Sequence, residues 1–194
     1  GVVIVTFLCA GFAFASEESV TRYDIVAKGI TIGHAETIRS KVQREGQELM
    51  RCQVSTKVDV DLLFVSCHID GTEDVLMGPT GVVQFAISAT KDGHHHETSG
   101  TLSNGIFHCL SVIDGITNQV VVPRSDFAAT TLDGLELRLR KGDPATTNRV
   151  FDCAQVKVFD RSYRWVEDAE LSMGGSNRTF RVVEFEDAAK KGRR

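Results

Sequence analysis

Proline is almost missing from this chain: three residues among 194, against 17 glycines, so no Pro-rich linker divides it into separate units. No tract repeats at a fixed period and none is of low complexity. Basic residues do not cluster either. The 22 Lys and Arg are interspersed with 26 Asp and Glu, leaving a net charge of −4; no surface suits a phosphate backbone or an anionic lipid, and no nucleic-acid partner is expected. The absence of any Cys-x-x-Cys pair removes the zinc-ribbon and thioredoxin readings. Without a Gly-x-Ser-x-Gly elbow, an α/β-hydrolase has no foothold. Gly29 and Gly33 lack the further glycines of a dinucleotide fingerprint and fit a tight hairpin or close packing better. No apolar run reaches the roughly 20 residues of a spanning helix, so an integral membrane protein is not expected.

What is present begins with a leader. Residues 1–15, GVVIVTFLCAGFAFA, are uncharged and apolar, and they end in Ala13-Phe14-Ala15 ahead of Ser16-Glu17-Glu18. Small residues one and three positions before the cut are what signal peptidase accepts, so residues 1–15 read as a secretory signal cleaved after Ala15. Leu8 before Cys9 argues against lipid attachment at that cysteine. The start at Gly1 and the basic tail 188–194, with no closing apolar strand, read as clipped ends. About 180 residues remain, enough for one domain with a core and short for two, and 16–187 is taken as a single antiparallel β domain, periplasmic or secreted.

The clearest periodicity runs from Met50 to Leu62, where Met50, Cys52, Val54, Thr56, Val58, Val60 and Leu62 alternate with Arg51, Gln53, Ser55, Lys57, Asp59 and Asp61. Period two places one set on a core and the other in water, the signature of an antiparallel strand. It recurs at Val83, Phe85, Ile87 and Ala89, and at Leu135, Leu137 and Leu139. Turn signals separate the strands: Lys28-Gly29, Glu45-Gly46, Asp70-Gly71, Gly78-Pro79, Asp92-Gly93, Asn104-Gly105, Asp114-Gly115, Asp133-Gly134, Gly142-Asp143-Pro144 and Gly174-Gly175. Phase changes between Cys153 and Val156, and between Val182 and Val183, read as β-bulges. Ser125–Leu132 is the best short-helix candidate. The fold class is therefore all-β, one curved antiparallel sheet forming an incomplete barrel with little helix, and Val182 to Phe185 reads as an unprotected edge.

Four cysteines remain after the leader, Cys52, Cys67, Cys109 and Cys153, in a compartment that permits disulfides. They are disulfide candidates in any of three pairings or, equally, buried thiols acting as small hydrophobes. His94 and His96 would project to one side of a strand and so reach one metal ion, with Glu97, Asp92 or His108 completing the set; the plainer reading is a solvated hairpin end. Cys67-His68 and His108-Cys109 are strand neighbours that point to opposite faces, so spacing makes no dyad. Adjacent acids such as Glu73-Asp74 would splay apart as well. No catalytic residue, cofactor or enzymatic activity is expected. Phe64, Phe85, Phe107, Phe127 and Phe151 lie in predicted strands and would either fill a core or line a site for an acyl chain.

Several segments in order resemble a family of uncharacterised exported bacterial proteins, a domain of unknown function. They are Tyr23-Asp24-Ile25-Val26 leading to Gly29-Ile30-Thr31-Ile32-Gly33, Val58-Asp59-Val60 into Leu63-Phe64-Val65, Thr72-Glu73, Ala89-Thr90-Lys91-Asp92-Gly93, and Asp126-Phe127 with Thr130-Thr131-Leu132. They span roughly residues 20 to 135. The resemblance implies an antiparallel half-barrel like those that carry lipid or lipoproteins across the bacterial envelope, with a concave apolar surface. The expected role is a non-enzymatic one: holding a lipid or other hydrophobic ligand, with loops around Asn118 to Asp133 gating it. A structural protein pairing with an envelope partner through a sheet edge, and a small metal-binding protein, are the rivals.

Overall fold

The computed structural model describes residues 18–27, 30–62, 65–173 and 176–188. The leader, its cleavage position, the Lys28-Gly29 and Gly174-Gly175 turns, Phe64 and most of the basic tail lie outside them. Eight strands follow one another: β1 (Glu18–Ala27), β2 (Ile30–Arg44), β3 (Gln47–Leu62), β4 (Val65–Gly78), β5 (Gly81–Lys91), β6 (His94–Ser103), β7 (Ile106–Ile113) and β8 (Ile116–Pro123). Each pairs antiparallel with its predecessor, and β1 and β8 do not meet, so the large sheet is an open half-barrel. The fold is all-β, as expected. The single sheet is not: β9 (Ala129–Thr130), β10 (Thr146–Asp152), β11 (Lys157–Met173) and β12 (Ser176–Asp187) form a second sheet in the order β12-β11-β10-β9.

Local chemistry explains the meander. Glu45-Gly46, Asp92-Gly93, Asn104-Gly105 and Asp114-Gly115 hold positive φ at both positions, the two-residue turn whose twist matches that of the strands it joins. Such turns fix register, and register fixes which face each residue occupies. Asp70-Gly71, read from sequence as a turn, lies inside β4, where Gly71 pairs with Thr56 and Ala89. Gly71 carries no positive φ, so nothing turns the chain there. Gly33 is needed for a different reason: a Cβ on it would overlap the carbonyl oxygen of Lys57 and approach Val58 Cα to 2.9 Å.

The register sorts the large sheet into an inner and an outer face. Cys52, Val75, Phe85, Gly100, Cys109 and Val120 form one continuous cross-strand row on the inner face, and Leu102, Phe107 and Val122 continue it toward the 104–105 turn. The second sheet packs on this part. Phe85, Phe107, Phe127 and Phe151, at 1%, 0%, 4% and 0% exposure, stack with centroids 5.2 to 6.1 Å apart and unite the two sheets in one core with Val75, Val82, Cys109, Val122, Cys153 and Val156. Asp133 ties the sheets from the side, accepting hydrogen bonds from Thr130 N at 2.6 Å, Thr130 Oγ1 at 3.1 Å and Val82 N at 3.3 Å.

Several local expectations change in the second half of the chain. Ser125–Leu132 is not a helix: a single 3-10 turn, Arg124–Asp126, gives way to extended backbone at Phe127. The chain straightens because Phe127 enters the core and Ala129–Thr130 pairs with Val150–Phe151. Arg124 fastens the exit by donating to the Phe127 and Ala128 carbonyls. Leu135–Arg138, read as an amphipathic strand, is a 3-10 helix entered through Gly134 at φ 61. Five residues are too few for period two to exclude a tight helix, and here Leu135 and Leu139 reach the opposite face of the second sheet, against Val150 and Tyr163.

The phase change after Cys153 is a turn and not a bulge. Asp152 pairs with Lys157 across residues 153–156, its carboxylate accepts from Ala154 N at 2.9 Å and Gln155 N at 3.0 Å, and Val156 takes φ 50. That side-chain capping builds an Asx turn where a bulged strand was expected. The second phase change does mark a bulge, with its extra residue on the partner strand: Trp165 faces Val183 and Glu167 faces Val182, leaving Val166 unpaired. β12 is an edge strand, as the reading of Val182 to Phe185 expected.

Candidate functional site

Beyond the area covered by the second sheet, the inner face continues toward the 92–93 and 114–115 turns. Two further rows lie there. Tyr23, Ala35, Thr56, Gly71, Ala89, His96, Ile113 and Ile116 form one, and Ile25, Gly33, Val58 and Ile69 begin the next. Tyr23, Ile25, Ala35, Val58, Val60, Ile69 and Ala89 are half-buried, and none belongs to either buried cluster among the described residues. This half mixes β-branched and small side chains with Tyr23 and His96, its second row ends in Lys91 and His94, and the phenylalanine stack of the covered half has no counterpart here among the described residues. Alternation put Thr56, Val58 and Val60 of β3 and Ala89 of β5 on one face, as read from sequence; register adds Tyr23, Ile25, Ala35 and Ile69 to it, and the position of the second sheet shows which of them it leaves uncovered.

Between the two halves runs a mixed row in which Thr37, Glu73, Thr98 and Ser111 are interspersed with Val54 and Ile87. Thr37, Thr98 and Ser111 are only 6%, 4% and 7% exposed. Thr98 Oγ1 and the neighbouring His96 Nε2 are buried without a hydrogen-bond partner among the described residues. Glu73 is half-buried, and that burial pushes its carboxyl above the ordinary range, because charge is disfavoured away from water. A polar strip therefore borders the uncovered apolar half.

The residues singled out by sequence divide clearly. Phe85, Phe107, Phe127 and Phe151 touch one another in the core and line no opening; Phe64 lies outside the described residues. Cys52, Cys67, Cys109 and Cys153 are all free thiols. Burial raises Cys109 to about 11 and Cys153 well above its ordinary value, so both stay protonated at neutral pH and neither is an activated nucleophile. Burial also raises Cys52, against an opposing pull from Arg39. Cys67 faces inward beside Val60, whereas His68 points outward to Asp59 at 2.8 Å, so the adjacent pair makes no dyad.

His94 and His96 share the inner face, but they do not converge. His94 Nδ1 lies 3.0 Å from Asp114 Oδ2, and that hydrogen bond is the main cause holding the Asp114 carboxyl below its ordinary range. Among the described residues no three His, Cys, Asp or Glu side chains come together as a metal site. Register instead builds an arrangement that sequence reasoning missed. His34 meets Asp24 at 2.8 Å, His68 meets Asp59 at 2.8 Å, and His95 Nε2 meets Glu97 at 3.0 Å, all on the outer face and near the same sheet end as His94 and Asp114. Asp24–His34 and Asp59–His68 are directly opposite residues on neighbouring strands, a proximity visible only once register is known.

The outer face also carries a groove of about 600 Å³. Two ladders frame it: Ile38, Gln53, Asp74, Ala86, Ser99 and Leu110 in one, Glu36, Ser55, Thr72, Ser88, Glu97 and Val112 in the other. Short side chains at the centre leave the space, and the Arg51–Asp74 ion pair stands beside it. The region Asn118 to Asp133, expected to be a gating loop, begins inside β8 and continues through the core, so it cannot swing as a lid. Among the described residues no helix is long and apolar enough to cross a membrane. No family model, no curated protein and no solved structure matches this chain.

Proposed function

We propose that this is an exported, non-enzymatic binding protein whose uncovered inner sheet face holds an elongated apolar ligand such as a lipid acyl chain. The observation that carries this reading is the continuation of apolar side chains at Ile25, Val58, Val60, Ile69 and Ala89 past the limit of both buried clusters. Contiguous apolar surface of this kind marks a ligand or partner site more often than it stands free in water. The polar strip at Glu73, Thr98 and His96 would border the bound chain and set its depth.

Native mass spectrometry of gently purified protein should show a co-purified lipid, and a fluorescent fatty acid should bind in a saturable way. Val58→Arg, which places a charge on the uncovered half, should abolish probe binding with the fold retained; Lys57→Glu, on the outer face, should not. Absence of both lipid and saturable probe binding would overturn the reading.

A further inference from the structure

We propose that β8 is a self-complementary docking edge through which two copies of this chain join their large sheets into one continuous sheet. Among the described residues β8 pairs only with β7. An edge strand presents a row of free N–H and C=O groups, and proteins ordinarily protect such edges with charge. The other two long edges follow that rule: β1 carries Glu18, Arg22 and Asp24, and β12 carries Arg178, Arg181, Glu184, Glu186 and Asp187. β8, ITNQVVVP, has no charged residue at all. Exposed apolar side chains also concentrate here. Leu110, Ile113, Ile116 and Val121, at 40%, 47%, 68% and 59% exposure, all lie on the β7–β8 hairpin, half of the large hydrophobics found exposed.

The register of a paired dimer can be derived. Ile113 and Ile116 flank the two-residue Asp114-Gly115 turn, so they exchange both backbone hydrogen bonds, as do alternate pairs down to Phe107–Val122. Thr117, Gln119 and Val121 therefore direct their backbone groups away from β7, whereas Pro123 has no N–H to offer. A second copy laid antiparallel about a two-fold axis at Gln119 uses all three: Thr117 faces Val121 of the other copy, Val121 faces Thr117, and Gln119 faces Gln119. Sliding the register by one pairing step in either direction leaves one of the three without its partner or sets Thr117 against Pro123.

Exposed Ile116 falls opposite Val122 beside the core, and the two outer-face glutamines can bond each other amide to amide. Because the strands run antiparallel, the second sheets, each packed near its own 104–105 turn, lie at opposite ends and do not compete for space. The isologous geometry of a two-fold dimer thus follows from one strand. It does not depend on the proposed ligand.

Sedimentation velocity of the full chain over a wide concentration range should show a reversible monomer–dimer equilibrium. Gln119→Pro removes an outward N–H that β7 does not use, which an edge strand tolerates, and should leave a folded monomer by circular dichroism. Gln119→Lys and Gln119→Glu should each weaken dimerisation at least tenfold through like charges across the axis, and mixing the two should restore a dimer containing one of each. Wild-type protein that stays monomeric at every concentration overturns the proposal. So does a dimer that Gln119→Pro leaves intact, or a Lys and Glu mixture that fails to pair. Lipid binding by the monomeric variants separates this test from that of the ligand reading.

Discussion

The inner face of the large sheet is two surfaces made from the same strands. Toward the 104–105 turn it carries Phe85, Phe107, Val75 and Val122, sealed by Phe127 and Phe151 of the second half of the chain; toward the 92–93 turn it carries Val58, Ile69, Ala89 and Ile113, which join neither buried cluster among the described residues. Both surfaces obey the same period-two alternation, so strand formation does not depend on the cover. Stability does. In the covered half large rings interlock and Gly100 makes room for Phe85, whereas the half-buried side chains of the uncovered half leave little cavity when truncated.

That contrast is broken most directly by Phe107→Ala. Removing a fully buried ring from the centre of the stack should cost about 3–5 kcal/mol, against about 1 kcal/mol or less for Val58→Ala on the half-buried side; urea denaturation of both variants measures the difference, and equal losses would show the two halves to be equally packed. Gly100→Ala comes next. Its Cβ would overlap the Phe85 ring and sit 3.0 Å from Cys109 Sγ, so overpacking should cost about 1–3 kcal/mol, seen as a lower thermal midpoint. Asp133→Ala removes the tie between Val82 and Thr130 and should cost a similar or slightly smaller amount, about 1–3 kcal/mol. Hydrogen exchange should then rise first in β9 and the start of β5.

Smaller effects sharpen the boundary between the halves. Glu73 titrates higher in the folded chain than unfolded, so the folded state holds more protons and stability falls as pH rises through the interval between the two values. Glu73→Gln should therefore raise the denaturant midpoint at pH 7 and leave it unchanged at pH 3.5; the opposite order would mean that the carboxylate is satisfied when charged. Cysteine alkylation reports the same division without altering stability. Half-buried Cys67 and Cys52 should be modified before Cys109 and Cys153, which burial shields and keeps protonated.

The edges offer the parallel lesson. β12 and β8 both end their sheets, and the apolar run at Val182 to Phe185 drew attention to β12 first. Reading the whole of each strand reverses that order, since β12 is charged throughout and β8 is not. The histidines show what a linear reading loses. The His94-His95-His96 run is conspicuous in sequence, yet His94 and His95 find carboxylates of their own, and His34 and His68 acquire theirs from a neighbouring strand.

By itself the sequence determined an all-β chain, the alternation and so the inward faces of β3 and β5, and four of the tight turns, because side-chain alternation and the freedom of glycine at positive φ act within a few residues. The bulge near Val183 and the sharp turn after Asp152 were also marked locally, the second under the wrong name, since a phase change looks alike whether the chain bulges or reverses. Only the tertiary structure decided that residues 124–139 form two short 3-10 turns and a two-residue strand in place of the expected helix and amphipathic strand, that Phe85, Phe107, Phe127 and Phe151 meet one another in the core, and that the described residues of the second sheet cover only part of the inner face. Those outcomes depend on register summed over many turns and on burial by residues distant in the chain, and neither quantity is encoded in any short window.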